Sequence, residues 1–251
     1  MIILNERKEA EKIIESGNIG NKPSETLGLL ARYYYSEGLS GKELYKKLNE
    51  FMQTNFPKYN PDAWKAAINS KVKKANKYSL VEISDISITQ AEIEIIQSLG
   101  SLPLERLAFT LLCLAKFGNQ RCENNNGWVC RSHKEIFKLA NVSATVQKQA
   151  EMLNTLYRSG LIGFSMKITN TNLQILYIHD DSDEALRVFD FRELGLEYMN
   201  YIGKHKYIRC NECGRLIKCV KNARTKYCKD CAAKVNIIKT YENRKKNSQK
   251  V

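Results

Sequence analysis

Along the first 80 positions, apolar residues recur every three or four places, the period of a helix with one buried face. Leu27, Leu30, Ala31 and Tyr34 form one such stripe, and Leu44, Leu48 and Phe51 form another. Three segments fit the pattern: ETLGLLARYYYSEG after Ser24, GKELYKKLNEFMQ after Ser40, and DAWKAAINSKVKKANK after Asn60-Pro61. Each preceding Ser or Asn offers an N-cap oxygen, and Pro61 suits a first helical position. Gly38 and Pro57 close the first two helices, and the three are expected to pack as a helical domain over 1–80. Lys71, Lys73, Lys74 and Lys77 give the third a basic face, which reads as solvated. An acidic connector is expected over 81–102, with a short helix in AEIEIIQSL capped by Thr89.

From Pro103 the pattern alternates between periods. PLERLAFTLLCLAKFG predicts an apolar helix, and a polar loop then leads to a short strand at Trp128-Val129-Cys130. HKEIFKLA follows as a helix capped by Ser132. After a turn at Asn141-Val142, ATVQKQAEMLNTLYRS forms a second helix capped by Ser143. LIGFSMKI and LQILYIHD alternate around Thr169-Asn170-Thr171-Asn172, as hairpin strands do. This order over 103–180, with Leu139, Val142, Ser143, Val146, Leu153, Leu156 and the Gly160-Leu161-Ile162 exit, resembles the winged helix-turn-helix superfamily. The resemblance implies that the second helix of the pair enters the DNA major groove while the wing touches the backbone. A wheel buries Val146, Ala150, Leu153 and Tyr157 and turns Ala144, Gln147, Lys148 and Glu151 outward, with Thr145 at the edge. Thr145, Gln147, Lys148 and the wing's Lys167 are then the candidate DNA contacts. The segment carries nine basic residues against five acids, and winged helices also serve as docking modules, so protein docking stays open. Residues 181–204 read as a second connector, with a solvated acidic loop, a strand-like VFDF and a short helix.

Charge changes the picture when it is located. Residues 1–200 hold 25 Lys and Arg against 24 Asp and Glu, whereas 201–251 hold 15 against 3. Almost all of the net charge of +13 lies in the last fifth of the chain, where it would attract a polyanion through a salt-dependent term.

Four cysteines in that stretch, Cys210, Cys213, Cys228 and Cys231, form C-x2-C-x14-C-x2-C. Two Cys-x-x-Cys turns bring four thiolates to one tetrahedral ion, which fits a single structural Zn2+. Gly214 supports the first turn by accepting positive φ. The second pair runs into a helix-like AAKVNIIKTYENRKK, whose amide dipoles oppose the negative charge of a four-thiolate centre. The segment 205–251 thus resembles a treble-clef or zinc-ribbon finger with a basic C-terminal helix. Cys219 is an alternative to Cys213 or a separate thiol, and Cys113, Cys122 and Cys130 read as reduced structural thiols. Arg209, Arg215, Lys218, Lys221, Arg224, Lys226 and Lys229 surround the cysteines, and Lys234, Lys239, Arg244, Lys245 and Lys246 follow on the helix. Tyr207 and Tyr227 lie among them, so cations for phosphates and rings for stacking occur together.

A closed four-sulfur site has no open position for water or substrate. His133-Lys134-Glu135 approaches a deaminase motif, but the required proline before the cysteine pair is missing and no phosphate-loop or nucleophile motif occurs. The chain is expected not to be an enzyme. No run approaches the roughly 18 apolar residues of a membrane span, and the opening MIIL meets charge at Glu6. A soluble protein of a reducing cytoplasm is expected, mainly α with small β. The whole order is similar to proteins carried by phages and mobile elements of AT-rich bacteria. That resemblance implies a context and not an activity; from the reader helix and the basic finger, a nucleic-acid-binding regulator or replication accessory protein with duplex DNA as partner is expected, or else a factor that targets a host nucleoprotein machine or polymerase.

Overall fold

The computed structural model describes residues 2–166, 170–219 and 225–248. Helices dominate, with short strands between them, and the chain divides into two compact units, Ile2–Ser84 and Asp85–Val251.

Ile2–Ser84 holds four α-helices, α1 (Glu6–Ser16), α2 (Pro23–Ser36), α3 (Gly41–Asn55) and α4 (Pro61–Lys74), the last continued by a 3-10 turn, Ala75–Lys77. Leu27, Leu30, Leu44, Leu48, Met52 and Ile68 are wholly buried between them, as the apolar stripes require. Asn60 caps α4, accepting from the Asp62 and Ala63 amides. The expected Ser24 cap is corrected. Pro23 occupies the first turn of α2, where its missing N–H costs nothing, and Lys22 becomes the boundary. Ser40 precedes α3 without a capping hydrogen bond from its side chain. The sequence reading missed α1, which Asn5 caps by accepting from the Lys8 amide. The same helix fixes the domain end at 84 and not 80. The Glu6 amide donates to the Val81 carbonyl at 2.7 Å and the Ile83 amide to the Leu4 carbonyl at 3.0 Å, while Arg7 reaches Glu82.

The second unit is built on α6 (Leu102–Arg121), which is apolar nearly all round and therefore buried. Before it come β1 (Ile86–Thr89) and α5 (Gln90–Gln97). After it come β2 (Trp128–Val129), α7 (His133–Leu139), α8 (Val146–Arg158), β3 (Ile162–Phe164), β4 (Leu173–Ile175), β5 (Glu184–Val188) and α9 (Leu194–Tyr201). The chain ends in β6 (Tyr207–Arg209), β7 (Leu216–Lys218) and α10 (Lys229–Ser248). One antiparallel sheet has the order β2-β4-β3, with Val129 and Phe164 both opposite Leu173. Cys113 faces inward from α6, and burial pushes its thiol well above the ordinary range. Cys122 and Cys130, read as structural thiols, are exposed.

The two expected connectors are not connectors. β1 pairs antiparallel with β5, Ile86 opposite Val188, so 81–102 and 181–204 are joined by a sheet. Only Val188 of VFDF belongs to that strand; Phe191 turns inward against Phe117 at 5.6 Å. The acidic loop is also engaged. Asp180 meets the Lys116 ammonium at 2.9 Å, and Glu184 takes bonds from Ser87 and Arg187. At the junction Glu92 is wholly buried. Its carboxylate accepts from Lys116 Nζ at 2.9 and 3.0 Å, from the Thr89 amide at 2.8 Å and from the His179 amide at 3.0 Å. The capping box that Thr89 shares with Glu92 is therefore also the knot between α5, α6 and the end of the β4 segment.

The buried face of α8 differs from the expected one. Thr145, not Ser143, caps it by accepting from the Lys148 amide, and the inward residues are Met152, Leu153 and Leu156. Val146, Ala150 and Tyr157 are exposed, and the side of α8 that meets α6 and β3 carries Met152, Leu153 and Leu156 instead.

Gly195, in the first turn of α9, sits against the end of α7 so closely that a Cβ there would overlap the Ala140 carbonyl oxygen. Neither partner is a flexible side chain, so backbone must move. Gly195→Ala is expected to cost about 1–3 kcal/mol in urea unfolding, and an unchanged midpoint would contradict this packing.

Candidate metal centre

Two short elements and a helix bring the four cysteines together. β6 and β7 pair antiparallel, Tyr207 opposite Lys218 and Arg209 opposite Leu216, and the turn between them carries Cys210 and Cys213. Gly214 closes this turn at φ +70, with its amide donating to the Cys210 carbonyl at 2.8 Å; the Cys210 amide donates to the Arg215 carbonyl at 2.9 Å. Cys228 immediately precedes α10 and Cys231 lies in its first turn. The Asn211 amide donates to the Lys226 carbonyl at 2.9 Å, which fastens one turn to the other.

The sulfur atoms of Cys210, Cys213, Cys228 and Cys231 all lie within 4.8 Å of one another. Cys213 and Cys228 are 3.8 Å apart at sulfur. Zinc–sulfur bonds of about 2.3 Å place the corners of a tetrahedron about 3.8 Å apart, so the spacing fits a four-thiolate ion. The Cys228 amide donates to Cys210 Sγ at 3.2 Å. Burial opposes the Cys210 thiolate, yet the amides of Cys213, Cys228 and Glu212 outweigh it and hold the thiol down at about 6. Burial and the three neighbouring sulfurs push the Cys231 thiol up to about 12. Four thiols this close cannot all ionise without a cation among them, which is what a metal supplies. Cys219 is outside the cluster; it follows β7, and its amide donates to the Lys206 carbonyl at 2.9 Å.

Apart from sulfur, little holds this segment. Leu216 is buried, and Ile217 and Tyr227 pack partly against the cysteines. Polar clamps add to this. Arg192 pairs with Asp190 at 2.7 Å and donates to the Cys213 carbonyl at 2.8 Å. Arg209 pairs with Glu197 at 3.0 Å, and Arg215 reaches Glu193 at 3.8 Å and Asp230 at 3.5 Å. Burial raises the Glu197 carboxyl above its usual range, against the pull of Arg209.

The cations expected to meet nucleic acid therefore divide. Arg209 and Arg215 are taken up by acids of the same chain, while Lys218, Lys226 and Lys229 are exposed with no ion pair among the described residues. Lys239 is exposed on α10. Lys167, Lys221 and Arg224 lie outside the described residues, and for Arg244, Lys245 and Lys246 only the backbone is described, within α10. On α8, Thr145 serves as the cap, and Gln147 and Lys148 both bond Glu151, at 3.3 and 2.9 Å. Lys148 holds the Glu151 carboxyl below its ordinary range. The sequence reading missed Arg192, Glu193 and Glu197, which fasten the cysteine turn; no local period marks them.

Among the described residues, no helix is long and apolar enough to cross a membrane. Compared with protein-family models, curated proteins and solved structures, the chain gives no match.

Proposed function

We propose that the chain is a nucleic-acid-binding protein, not an enzyme, in which one structural zinc ion holds a treble-clef or ribbon-type finger that grips phosphates. The observation that carries this reading is that Lys218, Lys226 and Lys229, exposed and without an ion pair among the described residues, sit on or beside the elements that bring the four cysteines together. Fixing cations on a rigid frame lowers the ordering cost of each phosphate contact. The centre itself has four sulfur ligands and no open position, so its role is structural. The order of α6, β2, α7, α8, β3 and β4, with β4 between the other two strands, supports reading 103–180 as a winged helix-turn-helix that docks on duplex DNA. A regulator or replication accessory protein of a phage or mobile element, working in a reducing cytoplasm, fits that combination. Because Glu151 occupies both Gln147 and Lys148, the finger supplies the electrostatic grip and α8 contributes shape.

A second reading rests on exposed apolar side chains of α8 and the strand after it. Val146 and Met166 are 83% and 99% exposed, and the exposed rings of Tyr157 and Phe164 lie 5.2 Å apart, which suits a protein partner better than phosphate. Binding to a labelled duplex, followed by fluorescence anisotropy between about 50 and 200 mM salt, separates the two. The first reading predicts affinity falling steeply with salt, and a shallower slope, by about two to three, after Lys218, Lys226 and Lys229 are changed together to Gln. No binding to DNA or RNA at low salt, with a partner retained after nuclease treatment, would replace it with the second.

A further inference from the structure

The helical unit Ile2–Ser84 carries a charge asymmetry that its packing does not require. Between Phe56 and Val81 there are six lysines and one acid, Asp62. Elsewhere in the unit four cations find acids, Arg7 with Glu37 and Glu82, Lys22 with Glu25, Arg32 with Glu6 and Lys46 with Glu50, and the exposed Lys8, Lys12, Lys42 and Lys47, which have no ion pair among the described residues, lie on helices that also carry acids. Lys58, Lys65, Lys73, Lys74 and Lys77 have no ion pair among the described residues, and all five are exposed. Lys71 is different, since it is half-buried and lies over Gly28.

Placement sharpens the contrast. Ile68 points into the core, with Trp64 and Val72 packed beside it, so the opposite side of α4 faces water. At a helical period Lys73, Lys74 and Lys77 fall on that outer side, close to one another. The carbonyl end of a helix favours a cation in its last turn, which one or two lysines satisfy; here Lys71, Lys73 and Lys74 end α4 and Lys77 ends the 3-10 turn that continues it, more than that effect needs. Like charges this close repel, and nothing in the unit offsets them. Directly after them comes Tyr78, 73% exposed. Phosphates at regular spacing would offset the repulsion, and the ring offers a face for a base.

We propose that the outer face of α4, with Lys73, Lys74, Lys77 and Tyr78, is a second nucleic-acid-binding surface that contacts the phosphate backbone apart from the finger. The inference rests on the nucleic-acid reading above and extends it to the helical unit. A chain that grips at two surfaces gains affinity by linking the contacts, and its salt dependence is set by both.

The test uses the full metal-loaded chain and a labelled duplex of about 20 base pairs, with affinity measured across a salt series. Three variants are compared with the unmodified chain: K73Q/K74Q/K77Q, the finger triple K218Q/K226Q/K229Q, and K42Q/K46Q/K47Q, which removes equal charge from exposed positions on α3. The expected result is a log–log slope shallower by about two to three for the α4 triple, since each lost duplex phosphate contact removes about 0.9. The α3 triple should keep the original slope, and thermal unfolding should match for all. A slope unchanged by the α4 triple but reduced by the finger triple overturns this inference and leaves the nucleic-acid reading standing. Equal reductions by the α3 and α4 triples would show a net-charge effect and also overturn it. No binding by the unmodified chain overturns both.

Discussion

Replacing Cys228 with serine is expected to remove the bound metal altogether and to unfold the chain from β6 onward, leaving the α6-centred core intact. The size of the effect follows from how little else holds the segment. Among the described residues, Leu216, Cys210, Cys228 and Cys231 are its buried apolar side chains, with Tyr207, Ile208, Ile217, Tyr227 and Val235 half-buried, far less than ordering this segment costs. Metal binding to four thiolates supplies about 10–16 kcal/mol in isolated zinc modules, and with three sulfurs most of that is lost. The Cys228 amide that donates to Cys210 Sγ is kept in the variant, so the loss reports the missing sulfur alone. Elemental analysis should give one zinc per unmodified chain and none in the variant, and limited proteolysis should cut between Tyr207 and α10 only in the variant. A variant that keeps the full equivalent and resists protease would contradict the assignment of Cys228 as a ligand.

Glu92→Gln is expected to destabilise the second unit by about 3–5 kcal/mol, close to the limit that a domain of this size tolerates. The change keeps the shape of the side chain and removes only its charge. It leaves the Lys116 ammonium buried with Asp180 as its single acidic partner, and it places an amide NH2 against donors that now meet a carboxylate oxygen. Removing one member of a buried pair costs more than removing both, since the survivor keeps its desolvation penalty. Adding Lys116→Met to the same chain should therefore recover a large part of the loss. Urea unfolding of the two single variants and the double gives the coupling directly. A loss below about 1 kcal/mol for Glu92→Gln, or no recovery in the double variant, would show that this knot is not what joins α5, α6 and the β4 end.

The sequence disclosed whatever was decided over short distances. The stripes Leu27–Leu30–Tyr34 and Leu44–Leu48–Phe51, the cap at Asn60 and the paired cysteines each follow from residues within a turn or two of one another, and the structure places them accordingly. What escaped was decided at long range. β1 is four residues long and finds its partner β5 about a hundred positions later, with Ser87 and Glu184 bonded across a gap of 97. Read locally, both segments were linkers. Arg209 and Arg215 looked free because Glu197 and Glu193 belong to α9 and the residue before it, and no periodicity ties those acids to the cysteine turn. On α8 the period was read correctly but the phase was not. Val146 and Ala150 are as apolar as Met152, and only the line along which α6 crosses decides which of them is buried.

Cys210, Cys213, Cys228 and Cys231 are expected to bind one zinc ion together. X-ray absorption at the zinc edge, on protein purified under reducing conditions, tests it most directly. The account predicts one zinc per chain with four sulfur neighbours at about 2.3 Å and no nitrogen or oxygen in the first shell. Protein without bound zinc, or a first shell in which nitrogen or oxygen replaces any of the sulfurs, would contradict it.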